Sequence, residues 1–275
     1  MPELWERSQY FRLSHGAELY AHIVGHGEPL LMIPGFGCNH YPFEGISKPL
    51  SEHYKLIMIH NRGMGLSSPA TSSYELEDLA RDAIEVMGQL GYDKFNVLGI
   101  SLGGLIAEEV ALQAPEKITK LCLLCTTGAG KDFVELKPFS EAGLIDFYEM
   151  DPMERSVLLT EATVDQNLKE SKPDRFNQIV KLRFDNRADL KQVIIQNSAA
   201  IKYLGKKKDL SKINAPTLVL TGDQDRTVSP QNSAILGKII SRSKVAIIGG
   251  TDHMFALEKP LLTATHIEDF LGASH

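Results

Sequence analysis

The stretch Phe95-Asn96-Val97-Leu98-Gly99-Ile100-Ser101-Leu102-Gly103-Gly104 decides how the rest of the chain is read. Its first half is a short apolar run of the kind found in buried strands. Its second half leads into Leu102–Ala114, a helical run that stops before Pro115. Between the two lies G-x-S-x-G with Ser101 at its centre. A strand that reverses into a helix within one residue holds that residue in a strained turn. Glycines two before and two after it remove Cβ atoms that would clash. The serine then projects from the C-terminal edge of a sheet. The N–H of Leu102 points toward the same space at a helix N-terminus. The plainer alternative is a Gly/Ser loop at an ordinary junction; the strand before it and the helix after it favour a nucleophile.

Working outward, further buried-strand candidates are Leu30–Ile33, Leu56–Ile59, Lys120–Cys125, Thr217–Thr221 and Val245–Ile248. Amphipathic stretches alternate with them. Leu76, Leu79, Ala83, Met87 and Leu90 recur at helical spacing before Gly91, and a last helix spans about Lys259–Leu271. That alternation predicts a mainly parallel sheet with helices on both faces. The start differs: Tyr10–Val24 holds two alternating runs around Ser14-His15-Gly16-Ala17, which predicts an antiparallel hairpin. Between Cys125 and Thr217 only helical signals occur, opening at Asp151-Pro152, Lys172-Pro173-Asp174 and Arg187-Ala188-Asp189. A structureless loop of that length is improbable, so 128–210 is expected to form an inserted helical cap.

Composition sets outer limits. The chain has 275 residues, 43% hydrophobic and 23% charged, with a formal net charge of -6. Mild acidity argues against a nucleic-acid partner. No apolar run is long enough to span a bilayer. The start Met1–Arg7 has neither the basic nor the apolar region of a signal peptide, so a cytoplasmic location is the default expectation. Cys38, Cys122 and Cys125 are too few and of the wrong parity for a disulfide framework.

A serine nucleophile needs a base, and the base needs an orienting group. Gly222-Asp223-Gln224-Asp225 follows the strand at Thr217–Thr221, and Gly249-Gly250-Thr251-Asp252-His253 follows the strand at Val245–Ile248. Both lie past the C-terminal end of a strand, on the edge that carries Ser101. The order is Ser, Asp, His. Either Asp223 or Asp225 could orient His253, while Asp252 reads as a turn residue.

On these residues the chain resembles the α/β-hydrolase family over nearly its whole length. Ile33-Pro34-Gly35-Phe36-Gly37 resembles the family's H-G-x-G oxyanion loop, with Pro34 where many members have histidine. Asn61-Arg62-Gly63-Met64-Gly65-Leu66-Ser67 resembles its D-x-R-G-x-G-x-S segment, with His60 in place of the usual aspartate. Asp225 matches the acid of its G-x-x-D pattern, His253 its late histidine, and Glu258-Lys259-Pro260 its E-x-P ending. The resemblance implies an eight-stranded, mostly parallel sheet, with a core of 1–127 and 211–275 around the cap at 128–210. It implies Ser101, His253 and Asp225 as nucleophile, base and orienting acid. The oxyanion would be held by the backbone N–H groups of Phe36 and Leu102, with no cofactor and no metal. Thr126-Thr127-Gly128, after the strand at Cys125, offers no alternative acid before Asp132.

The serine sets the chain apart from haloalkane dehalogenases and epoxide hydrolases of this fold, which use aspartate. The esterase and enol-lactonase branch is most similar, through Leu121–Gly130 and the N-R-G-x-G-x-S segment. The implied substrate is a small-molecule carboxylic ester or lactone with a mostly neutral acyl group. C–C bond hydrolysis, acyl transfer, cofactor-free haloperoxidation and a non-catalytic receptor share the same residues. Oligomeric state has no sequence signal.

Other features have plain expectations. Cys122 and Cys125 form C-x-x-C within a strand, where an offset of three sends side chains to opposite faces. Cys38 reads as a packed thiol. His22 and His26 read as surface hairpin residues, and Arg62 as a loop anchor. Lys206-Lys207-Lys208 is expected at a solvated boundary. At least one of Glu108 and Glu109 is expected to face water. Phe133, Phe139, Leu144, Phe147, Tyr148, Met150, Leu158 and Phe184 are the apolar cap residues, most of them expected to pack the cap on the core.

Overall fold

A computed structural model of the chain describes residues 6–272. Residues 1–5, on which the leader expectation largely rests, lie outside the described part. Strands β1 (Glu6–Arg12) and β2 (Glu18–Val24) form the antiparallel hairpin, in register from Glu6↔Val24 to Arg12↔Glu18. Next come β3 (Glu28–Ile33), α1 (Glu44–Ser51), β4 (Tyr54–Ile59), α2 (Leu76–Gln89), β5 (Phe95–Ile100), α3 (Leu102–Gln113) and β6 (Ile118–Leu124). Five helices follow: α4 (Glu141–Glu149), α5 (Pro152–Glu161), α6 (Leu168–Ser171), α7 (Pro173–Asp185) and α8 (Leu190–Leu204). The chain returns to the sheet with β7 (Thr217–Gly222), α9 (Pro230–Ile239) and β8 (Ser243–Ile248), and ends with α10 (Phe255–Glu258) and α11 (Pro260–Leu271).

The strands make one 8-stranded sheet in the order β1-β2-β4-β3-β5-β6-β7-β8. Only the β1–β2 and β2–β4 pairings are antiparallel; every pair from β4 to β8 is parallel. Strand alternation divides the core in two. Leu31, Ile33, Val97, Leu121 and Leu123 face a layer that contains α2 and α3. Leu30, Met32, Leu98, Cys122 and Leu124 face the other layer, which contains α11. Each fully buried Leu or Ile contributes about 1.5–3 kcal/mol through removal of its surface from water.

Helix starts follow local chemistry. Glu75 and Asp78 form a capping box at α2. Asp151 and Asp189 accept backbone N–H groups at the first turns of α5 and α8. Helix α4, capped by Ser140, and α1 had no clear sequence signal.

Three expectations change. Helix α3 is buried along Leu102–Ala111, because it is enclosed on more than one side, so neither Glu108 nor Glu109 faces water. Glu109 accepts from Tyr203 Oη at 2.9 Å and pairs with Lys208 Nζ at 2.6 Å. Lys206 and Lys208 are accordingly ion-paired, both reaching Glu77 at 2.7 Å, and do not merely mark a solvated boundary. Strand β6 ends at Leu124, so Cys125 escapes the alternation. Its left-handed φ of +41° leaves it in the same apolar layer as Cys122. No helix among the described residues is long and apolar enough to cross a membrane.

Candidate active site

Ser101 sits between β5 and α3 with φ +55° and ψ −120°, a conformation in which Cβ is crowded by the backbone. The turn closes only because its flanks are bare. A Cβ on Gly103 would fall onto the Ile33 carbonyl oxygen and lie 2.6 Å from that of Pro34. A Cβ on Gly99 would lie 2.6 Å from the Gly103 carbonyl carbon. The 34–37 loop crosses the same spot: a Cβ on Gly35 would be 3.4 Å from Ser101 Cβ. Leu102 opens α3, so its N–H is among those a helix leaves without an intrahelical partner. Thr126 Oγ1 donates to the Ser101 carbonyl at 2.8 Å and fixes the turn from the β6 side.

The loops after β7 and β8 bring the other two residues in. His253 Nε2 lies 3.0 Å from Ser101 Oγ, and His253 Nδ1 lies 2.9 Å from Asp225 Oδ2. Asp225 Oδ1 accepts the N–H groups of Thr227 at 2.9 Å and Val228 at 2.8 Å, which locks the carboxylate. With Asp225 Oδ2 as acceptor, the ring proton is on Nδ1 and Nε2 is the acceptor that faces Ser101 Oγ. Asp225 and His253 are buried. Asp223, its rival, is exposed and accepts from Thr251 N–H at 3.2 Å.

Asp252 does more than shape a turn. Buried, it accepts from the N–H groups of Arg226 at 2.9 Å and His253 at 2.8 Å, and from Arg226 Nε at 2.5 Å. Arg226 also donates to the carbonyls of Glu161 and Val164, which ties the β7 and β8 loops to the end of α5. Glu258 accepts from the N–H of Asp252 at 2.9 Å and of Asp165 at 2.8 Å. Burial raises its carboxyl to about 7 against those two stabilising bonds.

Charge around the histidine is asymmetric. Burial disfavours the imidazolium, but Cys125 and Asp225 beside the ring favour it, and the balance holds His253 above its ordinary value. Burial also pushes the Cys125 thiol up. Ligand atoms of Cys125, Asp225 and His253 lie within 4.8 Å of one another, a spacing that could hold a metal ion. A cation there would have to displace the Asp225–His253 hydrogen bond.

Two cavities meet at Ser101. One, of about 200 Å³, is lined by His253, Cys38, Tyr148, Arg155, Arg183 and others. The second, of about 160 Å³, is bounded by Leu102, Leu105, Leu136, Val228 and other mostly apolar residues. Phe36, Ser101, Phe139 and Thr227 belong to both walls. Of the apolar residues expected in a cap, Phe139, Leu144, Phe147 and Tyr148 line the first cavity. Cys38 lines it too, while its thiol donates to the Phe36 carbonyl at 3.2 Å. Gln196 Oε1 accepts from Gly37 N–H at 2.7 Å, a brace on the 34–37 loop that nothing in the sequence marked. Arg62 anchors its loop as expected, pairing with Asp82 at 2.5 and 2.8 Å.

Comparison with known proteins agrees with this architecture. Residues 28–260 match the model of the alpha/beta hydrolase fold family, and the chain belongs to that family. It is 30% identical over 255 residues to Lipase 3 of Moraxella sp. (strain TA144), covering 89% of this chain and 77% of that one. A hydrolase from Pseudomonas aeruginosa PA01 superposes with a TM-score of 0.82 at 21% identity, covering 97% and 99% of the two chains. The enol-lactonase from Burkholderia xenovorans LB400 superposes with a TM-score of 0.79 at 19% identity, covering 96% and 99%. At such identities the two structures speak for the fold alone.

Proposed function

We propose that the protein is a serine hydrolase that cleaves a carboxylic ester or lactone through an acyl-enzyme. The observation that carries this is the relay from Asp225 through His253 to Ser101, at 2.9 and 3.0 Å, on a strained strand-to-helix turn. The likeness to Lipase 3 supports the same reaction class. His253 Nε2 takes the proton as Ser101 Oγ attacks the substrate carbonyl carbon. Asp225 fixes the tautomer and stabilises the imidazolium. The N–H groups of Phe36 and Leu102 receive the oxyanion. His253 then protonates the leaving oxygen and activates the water that releases the acid. Of the two cavities that meet at Ser101, the first is the one lined by His253, so the leaving group is assigned there and a neutral acyl group to the mostly apolar second cavity. Residues 128–210 act as the cap, and their side chains choose the substrate.

The test is hydrolysis of p-nitrophenyl butyrate. Ser101→Ala is expected to lose about 10³-fold or more in kcat while its thermal transition is retained. Near-full turnover in that variant would overturn the assignment.

A further inference from the structure

The first cavity is unusual in its charge. Arg155, Arg183 and Arg187 line it, and no aspartate or glutamate is among its lining residues. Two of the three arginines are occupied. Arg155 lies 4.0 Å over the Tyr148 ring and donates to the Tyr148 carbonyl at 3.1 Å. Arg187 is exposed, stacks 3.9 Å over Phe184 and donates to its carbonyl. Arg183 is different. One guanidinium nitrogen donates to Thr163 Oγ1 at 2.7 Å, while its Nε is shielded from solvent and has no hydrogen-bond partner. Among the described residues no carboxylate pairs with any of the three.

A partly desolvated guanidinium without a counter-ion is costly, and an entering anion removes the cost. The planar fork of arginine suits a carboxylate, which it binds through two parallel hydrogen bonds. The charge of Arg183 is felt at Cys38 and Tyr41, both on the segment beside the 34–37 loop, so it acts inside the cavity and not at a remote rim. His253 lines the same cavity, which places the charge on the leaving-group side. The second cavity contains no arginine, and its one basic residue, Lys137, is exposed to solvent.

We infer that the substrate is an ester whose leaving alcohol carries a carboxylate, held by Arg183, while its acyl part is apolar. This rests on the acyl-transfer function proposed above and names the substrate class of the same site. Thr163 positions the guanidinium, and Arg155 adds positive potential from its place on the Tyr148 ring.

The experiment compares 3-(butyryloxy)benzoate with 3-(butyryloxy)benzamide, which share acyl group and shape and differ in charge. The readout is the ratio of their kcat/KM values within one protein sample, so any loss of folded enzyme cancels. The wild-type protein is expected to favour the carboxylate by at least about tenfold, chiefly through KM. Arg183→Met should bring the ratio to near one, and Arg183→Lys should leave an intermediate value. A wild-type ratio of one or below, or a ratio unchanged by Arg183→Met, overturns the inference even if Ser101-dependent hydrolysis of the benzamide ester is intact. Stronger preference for 3-(butyryloxy)phenyl phosphate overturns the carboxylate assignment. If neither ester is cleaved, the acyl-transfer function fails first. Calorimetric binding of 3-hydroxybenzoate must then still weaken by at least about tenfold in Arg183→Met, and equal binding overturns the inference.

Discussion

Acidification should destabilise the protein through a stack of three histidines beside the 34–37 loop. His22, His40 and His60 lie ring on ring, with centroids 5.0 Å apart at each step. His60 Nδ1 accepts the Leu66 N–H at 3.0 Å, so its proton is on Nε2, which donates to His40 Nδ1 at 2.7 Å. Protonated His60 would aim a second N–H at the Leu66 N–H, donor against donor. Burial, with His40 and then His22 nearby, holds His60 down at about 3. Burial and His22 hold His40 down at about 4. The other groups facing the stack are the Tyr20 ring, 4.7 Å from His60, and Glu6, 3.7 Å from His22.

The sign follows from proton counting. A base with a depressed folded pKa binds fewer protons folded than unfolded. Its contribution is complete above the unfolded value near 6.5 and is lost as pH falls below it, down to the folded values of about 4 and about 3. At about 1.4 kcal/mol per pH unit, His60 should cost about 3 kcal/mol at pH 4, and His40, half-titrated there in the folded state, about as much. The assay is urea unfolding at pH 7 and pH 4 for the wild-type protein and His60→Asn, whose amide oxygen can accept the Leu66 N–H without titrating. The wild-type protein should lose about 3 kcal/mol more than the variant between the two pH values. Equal losses would refute the reasoning, whatever the variant's stability at pH 7.

Other outcomes follow from the same geometry. Asp225→Asn should lower kcat on p-nitrophenyl butyrate by about 10³–10⁴-fold with the fold intact, because an amide can stabilise the wrong tautomer of His253; full activity would show that another acid orients the ring. Gly103→Ala should give little soluble protein or an inactive one, since the added methyl meets two carbonyl oxygens; wild-type activity from that variant would refute the close approach. Glu108 is buried with both carboxyl oxygens unpartnered, and burial and Glu109 raise it well above its ordinary value. Its folded state therefore binds the extra proton, and stability falls as pH rises above about 4.5. Glu108→Met should raise the urea midpoint at pH 8, by about 1–3 kcal/mol in stability, and a lower midpoint would contradict the account.

Much of this architecture was legible because it depends on local pattern. Strand β5, the strained turn at Ser101 and α3 are contiguous, so Gly99, Ser101 and Gly103 declare themselves together. Asp225 and His253 each follow a strand end, and parallel strands deliver such ends to one edge. Choosing Asp225 over Asp223 needed the family pattern, because in sequence the two differ only by two positions. Features made by long-range contact were not legible. His22 looks like a hairpin residue until β2 pairs with β4 and sets it beside the segment that carries His60. Glu108 and Glu109 look like half of an exposed helix face until other layers enclose α3. Arg155 and Arg183 belong to α5 and α7, which pack together, and no periodicity says that their side chains share a cavity.

The central claim is a covalent acyl-enzyme on Ser101, and peptide mass spectrometry after treatment with a fluorophosphonate tests it most directly. The account predicts a single stoichiometric adduct on the peptide containing Ser101, absent in Ser101→Ala and accompanied by complete loss of esterase activity. An adduct confined to another residue, or an unlabelled Ser101 in a protein that still hydrolyses esters, would contradict it.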